Sequence, residues 1–172
     1  TNGKDNGVIS PQYDYFSPLS DRFIRLWKDD QLFLYAVDMH RVLTRGEYDQ
    51  FYTLSDQYIM TKRNRLLGLM DHAGKIILRP HYNEIQLFGK DKFRVNFQGK
   101  WGLVNANDQM VLPFQYDYIA PLKGPVSVVI LNRKLGVVNQ EGELIISPDY
   151  ERIVPENRRI KAYKGEEISV TY

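Results

Sequence analysis

The sequence repeats with a period of about 34 residues, and this repetition limits the possible folds more strongly than composition does. Tyrosines mark the period at nearly constant steps along the chain. They are Tyr13, Tyr48, Tyr82, Tyr116 and Tyr150. Each is followed at once by Asp, Asn or Glu, and three positions later by Phe or Ile. Such a chain is expected to fold as equivalent units that bury their apolar faces against one another.

Glycines follow the same period. Gly68, Gly102 and Gly136 are each one period apart, and six positions after each stands a residue suited to a turn. These turn residues are Gly74, Asp108 and Gly142. Because a glycine inside a strand marks a bulge or a close approach, we expect an aromatic ring of the next unit to lie over Gly102.

One unit can be traced through residues 93–119. "FRVNF" and "WGLVN" predict two strands joined by a tight turn, and "MVLP" with "YDYI" predicts a third strand. This third strand is expected to bend at Pro113 or Phe114. In other copies a proline stands two positions before the tyrosine, which predicts an edge strand or a kink. These prolines are Pro11, Pro80 and Pro148.

Residues 20–45 allow two interpretations. They begin with a plausible helix cap, Ser20–Asp21, and contain no proline or glycine, which is compatible with a helix. Their alignment with the next copies instead favours a divergent β unit. We prefer the β unit, and part of the segment could still be helical.

The predicted fold is all-β, a tandem array of strand-turn-strand-turn-strand units of about 34 residues. Residues 1–6 are expected to form a flexible leader, and residues 7–172 a single repeat domain. Its units are a partial unit 7–19, full units 23–54, 58–90, 93–124 and 126–158, and a partial unit 159–172.

Composition excludes several classes of protein. The net charge of +2 is too balanced to predict a nucleic-acid partner, and no apolar run approaches the roughly 20 residues of a membrane span. The absence of cysteine excludes disulfides and thiolate catalysis. Neither a nucleophile elbow nor a concentrated pair of carboxylates stands out, so no enzymatic activity is predicted.

The motif "KWG" at Lys100–Gly102, the glycine-to-turn spacing and the Pro-x-Tyr-Asp/Glu-x-Ile pattern resemble the bacterial WG-type β-repeat proteins. The resemblance covers nearly the whole chain, although Leu67 and Leu135 stand where Trp101 precedes its glycine. It implies a binding or interaction module that is exported or associated with the bacterial envelope, and it implies no catalytic residue.

The number of repeats varies widely among proteins of this kind, which suits an open array. The complementary end fragments instead favour closure, whereas a unit of about 34 residues is short for a propeller blade. An open, solenoid-like array is therefore slightly favoured over a closed, propeller-like ring.

The repeated residues are expected to be structural. Each repeated tyrosine should pack its ring on the next unit and bond its hydroxyl to backbone. The acidic or amide residue that follows is expected to cap a turn, because a single carboxylate in each repeat rarely converges with others on a metal. The histidines lack metal-ligand spacing and are expected at the surface; they are His40, His72 and His81. No cofactor or metal site is predicted.

Specificity is expected where the copies differ, above all at hairpin tips. Basic tips occur in "TKRNR", "LNRK" and "NRRIKAYK". Trp27 is a separate departure from the repeat, and Phe97 and Tyr118 are additional aromatic residues in the copy that contains Trp101. The candidate partner-binding residues are Trp27, Arg63, Arg65, Phe97, Tyr118, Arg133, Arg158 and Arg159.

The sequence therefore predicts a non-enzymatic module that binds a protein partner in the bacterial envelope, being periplasmic, secreted or at the cell surface. One alternative is a carbohydrate-binding module that uses exposed aromatic side chains. Another is a regulatory or inhibitory domain of an enzyme encoded elsewhere. Two or three exposed coplanar rings in one groove would favour sugar, and a broad mixed patch would favour protein.

Overall fold

The computed structural model describes residues 12–156 and 159–171. Over these residues the chain consists of β-strands and turns, and it contains no helix. No described segment could therefore cross a membrane as a helix. The leader expected at residues 1–6 lies outside the described residues.

The described strands follow one another through short turns. They are β1 Tyr15–Ser20, β2 Phe23–Lys28, β3 Gln31–Ala36, β4 Arg41–Val42, β5 Gln50–Thr53, β6 Tyr58–Arg63, β7 Leu66–Asp71, β8 Ile76–Tyr82, β9 Glu84–Phe88, β10 Lys92–Phe97, β11 Lys100–Asn105, β12 Met110–Tyr116, β13 Tyr118–Ile119, β14 Val126–Leu131, β15 Lys134–Asn139, β16 Leu144–Tyr150, β17 Arg152–Glu156, β18 Arg159–Lys164 and β19 Glu167–Thr171.

These strands form antiparallel sheets in which neighbours in sequence are neighbours in space. Sheets 1 to 4 contain four strands each, β1–β4, β5–β8, β9–β12 and β13–β16, and sheet 5 contains β17–β19. None of them closes into a barrel. The predicted all-β tandem repeat is confirmed, with four strands rather than three in each complete sheet.

The fourth strand arises where the chain passes from one sheet to the next, a crossing that the sequence did not predict. β12 ends at Tyr116, and Tyr118 pairs with Ile130 of the next sheet. The expectation that "MVLP" and "YDYI" belong to one strand is therefore wrong. At this crossing the backbone N–H of Asp117 donates to the Ile130 carbonyl at a distance of 2.8 Å, which joins Asp117 to sheet 4.

Residues 20–45 are β-structure, so the helical alternative is wrong. β2 and β3 are joined by Asp29 and Asp30, whose φ angles are 50° and 60°. Two successive residues in this left-handed region make the kind of hairpin turn that matches strand twist, and aspartate tolerates it better than most residues. Two aspartates thus form this turn, and no glycine is needed.

Gly102 faces the neighbouring strand of its own sheet. A Cβ at this position would lie 2.7 Å from the Leu112 carbonyl oxygen and would also meet the ring of Phe114. An aromatic ring therefore does cover this glycine, but it comes from β12 and not from the next unit. At Gly68 and Gly136 the backbone of a proline takes the place of that ring.

These prolines occupy sheet edges. Pro80 lies in β8 and Pro148 lies in β16, which are the last strands of sheets 2 and 4. The edge position predicted from the missing N–H group is confirmed for both.

The chain divides into two compact units, Thr1–His81 and Tyr82–Tyr172. An apolar cluster of unit 1 contains Phe23, Leu32, Leu34, Ala36, Tyr48, Phe51, Ile59 and Met70. Unit 2 has a larger cluster and a smaller one. The larger contains Phe88, Trp101, Leu103, Leu112, Tyr116, Ile119, Val129 and Val138, and the smaller contains Val137, Ile146 and Ala162.

Three repeated tyrosines are core residues. Tyr48, Tyr82 and Tyr116 are 6%, 3% and 1% exposed, as predicted. Tyr13 and Tyr150 are only half-buried. In unit 2, the ring of Tyr82 packs near Phe97 and Phe114, with centroids 6.3 and 6.2 Å away.

The hydroxyl of Tyr82 makes a bond that the sequence did not predict. It donates to Oδ1 of Asp108 at 2.7 Å, so a carboxylate stands where a backbone acceptor was expected. Burial, reinforced by this carboxylate, holds the pKa of Tyr82 far above its usual value.

Candidate binding site

The residues that follow the repeated tyrosines are engaged in turns. In every copy a side-chain oxygen accepts the N–H of a residue in the next hairpin turn. The pairs and distances are Asp14–Asp29 3.1 Å, Asp49–Asn64 2.7 Å, Asn83–Gln98 3.0 Å, Asp117–Asn132 2.7 Å and Glu151–Gly165 3.1 Å. The turn-cap prediction is confirmed. Among the described residues no group of three or more His, Asp or Glu side chains is arranged to hold a metal ion.

The same carboxylates also pair with lysines in two copies. Lys100 donates to Asp117 at 2.6 Å, and Lys134 donates to Glu151 at 2.9 Å. Two hydrogen bonds lower the pKa of each carboxyl group. The bond from the lysine has the larger effect, and the bond from the turn backbone has the next largest.

A buried arginine marks a second repeated position. Arg94 on β10 is only 4% exposed, and no described carboxylate pairs with it. One guanidinium nitrogen donates to the Ile119 carbonyl and another to Oε1 of Gln86. The rings of Trp101 and Tyr118 face the guanidinium, with their centroids 5.4 and 5.6 Å from Cζ. These aromatic faces shield the charge and interact with it favourably.

Arg25 occupies the equivalent position on β2 and makes equivalent bonds. Its guanidinium donates to the Phe51 carbonyl and to Oγ of Ser17, both at 3.3 Å. Phe51 stands three positions after its repeated tyrosine, as Ile119 does. Ser17 pairs across the sheet with Arg25, as Gln86 pairs with Arg94.

The side chains that surround the two arginines differ in size. Leu32 stands where sheet 3 has Trp101, and Gln50 stands where the chain has Tyr118. Both replacements are smaller, and the space beside Arg25 is open. It forms a cavity of about 440 Å³ within unit 1, which we call the Arg25 cavity. Its lining includes Arg25, Trp27, Leu32, Asp49, Gln50 and Tyr52.

Aromatic side chains border the Arg25 cavity. Trp27 is half-buried, and its ring centroid lies 5.1 Å from that of Tyr15, with the planes tilted by 45°. Tyr15 is 61% exposed and Tyr52 is 41% exposed. The Tyr52 hydroxyl donates to Oε1 of Gln50. The site thus presents aromatic faces beside a cation and amide and carboxylate oxygens.

Of the candidates chosen from the sequence, Trp27 lies in this cavity. Arg63 ends β6 and Arg65 lies in the following turn, so both stand at one exposed hairpin tip. Arg133 lies in the equivalent turn of sheet 4, also exposed. Arg65 and Arg133 both have left-handed backbone, with φ angles of 69° and 65°.

The remaining candidates belong to unit 2. Phe97 is half-buried and packs on Phe114, with ring centroids 5.5 Å apart. Tyr118 is partly exposed, but one face of its ring is turned to Arg94. Arg159 begins β18 and is exposed. Arg158 lies outside the described residues. Roles for these side chains in partner binding stay predictions.

Sequence reasoning missed Arg25, Asp49 and Tyr52 as neighbours of Trp27. A signal for Arg25 was present, because an arginine stands inside a strand in both "FIRLW" and "FRVNF", two repeat periods apart. An arginine at the same position of two apolar strands predicts a repeated buried or half-buried charge. No comparable signal identifies the unfilled volume.

The family model described as "WG containing repeat" matches residues 68–101, 101–134 and 136–157. These segments together cover more than half of the chain. The chain therefore belongs to the family of WG-repeat proteins, as the resemblance implied. The Arg25 cavity is built from residues that precede the matched segments, where the copies diverge most.

None of the curated proteins compared matches this chain. Among solved structures, Kluyveromyces lactis Hsv2p is 11% identical with a TM-score of 0.40, over 87% of this chain and 56% of that chain. HIRA(644-1017) is 11% identical with a TM-score of 0.37, over 81% of this chain and 46% of that chain. This chain spans about half the length of the solved structures that it matches. At such TM-scores these similarities carry no argument about function.

Proposed function

We propose that this protein is a non-enzymatic binding module of the bacterial envelope that holds a protein partner at the Arg25 cavity. The observation that carries the proposal is the contrast between two equivalent arginines. Trp101 and Tyr118 cover Arg94, whereas Arg25 lines an open cavity beside Trp27. A repeat fold that leaves one of these positions unfilled offers a binding pocket there.

The chemistry of the cavity suits a protein side chain. Arginine, tryptophan and tyrosine are the residues most enriched at energetic centres of protein interfaces. Two bonds already orient the Arg25 guanidinium, so little conformational entropy is lost when it binds a partner. A carboxylate beside an apolar group would pair with Arg25 and pack against Trp27.

Carbohydrate binding is the second candidate function. The mixture of aromatic faces with Asp49, Gln50 and Arg25 supports it, since these groups hydrogen-bond hydroxyls. However, the rings of Tyr15 and Trp27 are tilted by 45°, which makes them a poor flat platform for sugar rings. For this reason we prefer a protein partner.

Photo-crosslinking with envelope extracts of the source bacterium tests the proposal. A benzophenone amino acid at position 52 should crosslink to one protein, which mass spectrometry then identifies. With that purified partner, Arg25→Gln should weaken binding by at least about tenfold, as expected for a residue at an interface centre. Arg45→Gln is the matched control, because Arg45 is exposed in the same unit.

Thermal unfolding of each variant would show that it remains folded. Equal affinity of Arg25→Gln and wild type for the partner would contradict the proposal. Binding of a polysaccharide that is lost in Arg25→Gln, with no protein crosslinked at position 52, would favour carbohydrate.

A further inference from the structure

Unit 2 contains a second cavity, and this one is almost wholly apolar. It encloses about 380 Å³ between sheets 4 and 5. Its walls include Val126, Val137, Ile153, Pro155 and Ile160. We call it the Ser127 cavity, after the buried serine that also lines it. A volume of this size is within the range of small-molecule sites.

The Ser127 cavity exists because one copy lacks a large side chain. Ser127 on β14 occupies the position held by Phe93 on β10 and by Ile59 on β6. Both of those side chains are buried. A serine in their place removes most of the filling volume from this part of the sheet interface. Such a void forfeits packing contacts unless something else occupies it.

The serine hydroxyl does not require a polar ligand. It donates to the Ala120 carbonyl at a distance of 2.6 Å. Val128 stands where sheet 3 has the buried Arg94, so the charge of that copy is missing as well. The interior of the Ser127 cavity therefore favours an apolar group.

One charge belongs to the lining. Of the described residues that line the Ser127 cavity, Lys123 alone is charged, and it is exposed. The structure gives Lys123 no ion pair with a described carboxylate. Glu156, which follows Pro155 of the lining, is already paired with Lys161. An apolar interior, with an ammonium group in its lining that pairs with no described carboxylate, matches a molecule with an apolar tail and an anionic head.

We infer that the Ser127 cavity binds a small amphiphilic carboxylate, with the tail against Val137, Ile153 and Ile160 and the carboxylate near Lys123. Burial of the tail supplies most of the binding free energy, and the ion pair with exposed Lys123 adds a smaller part. This site is distinct in chemistry from the Arg25 cavity, and it does not depend on the function proposed for that cavity.

Titration with octanoate, followed by methyl NMR and calorimetry, tests the inference. Saturable shifts are expected for the methyl groups of Ile153 and Ile160, with none for Ile59 of unit 1. Octanol, which has the same tail without charge, should bind about threefold more weakly, and octyltrimethylammonium more weakly still. No saturable shift, or an affinity order with the cation first, would overturn the inference.

Two variants that fill the Ser127 cavity should abolish binding. Ser127→Phe introduces the residue of sheet 3, and Ala120→Leu provides a milder filling if the phenylalanine variant does not fold. Lys123→Gln should weaken octanoate about threefold and leave octanol unchanged. Full octanoate affinity in a folded, filled variant would show that the tail lies elsewhere and would refute the site.

Discussion

Single side chains determine how neighbouring sheets pack within each unit. The repeated tyrosines supply large apolar surfaces, and the arginines at positions 25 and 94 supply charges that reach backbone carbonyls of the following sheet. Arg94 lacks a carboxylate partner among the described residues, and its guanidinium lies over the rings of Trp101 and Tyr118. The same position is filled by aromatic rings in one copy and open in another. The same residue type therefore packs against rings in the first copy and lines a cavity in the second, where we propose that a partner binds.

Tyr116→Ala should lower the free energy of unfolding by about 3–5 kcal/mol, the range for removing a large core side chain. Tyr116 is fully buried in the larger cluster of unit 2. Urea denaturation would measure the loss, with the half-buried Tyr150→Ala as a comparison expected to lose less. A loss under about 1 kcal/mol would indicate that the ring is not part of the core.

Stability should fall as the pH rises above about 10, and Tyr82 should account for part of that fall. Its pKa is raised in the folded protein, so the unfolded chain releases the phenol proton first and is favoured at high pH. Below about pH 10 both states keep the proton, and this contribution is fully present. Between about pH 9 and 11, the free energy of unfolding should therefore decrease less with pH in Tyr82→Phe than in the wild type, as urea denaturation would measure. Identical slopes would contradict the assignment.

At the level of strands and turns, each hairpin is held by a side chain that caps its turn. The capping residue lies where the chain enters the sheet that contains the hairpin. From Tyr48 onward, the chain leaves one sheet after each repeated tyrosine, and the next residue binds the tip of a hairpin in the following sheet. The backbone N–H of Asn83 donates to Asn96 and its side chain accepts from Gln98, which has a φ of 52°. Asn83 thus joins the segment that enters sheet 3 to β10 through its backbone, and it caps the turn after β10 through its side chain.

Asn83→Ala should cost about 1 kcal/mol, the typical net value of one hydrogen bond. The alanine variant keeps the backbone bond to Asn96 but leaves the Gln98 N–H without its side-chain acceptor. Asn83→Asp is the matched control, because the other copies use a carboxylate here and the bond should persist. Urea midpoints that are equal for the alanine and aspartate variants would exclude the capping role.

For the whole molecule, tandem repetition and family membership establish the architecture of the repeats. The preference for an open array over a closed ring rests on the sequence and stays a prediction. Within unit 1 and within unit 2 the copies share turns, caps and tyrosines, while the cavities arise where individual copies depart from that pattern. Binding is therefore expected to be specific to particular copies rather than distributed along the repeat.

An open array predicts weak energy transfer between dyes near the two ends of the chain. Since the sequence contains no cysteine, cysteines introduced at positions 12 and 164 can be labelled selectively. The distance should approach the longest dimension measured by solution scattering. A distance much shorter than that dimension would favour the closed ring.

Features that act locally or recur in every copy could be predicted from the order of the amino acids. Alternation and turn residues are local, so strands, tight turns and caps such as Asp117 follow from short segments. Recurrence once in each repeat identified the chain as a WG-repeat protein, and it predicted the core position of Tyr48, Tyr82 and Tyr116. Trp27 was selected because it departs from that recurrence.

The points where strands change sheets, and the places where volume is missing, became visible only in the folded molecule. The crossing after Tyr116 depends on a bond to Ile130, which lies in another sheet. The Arg25 cavity depends on Arg25, Leu32 and Gln50, which come from three different strands. Whether side chains from separate strands fill a common space is a property of their packing in three dimensions, and no periodicity along the chain encodes it.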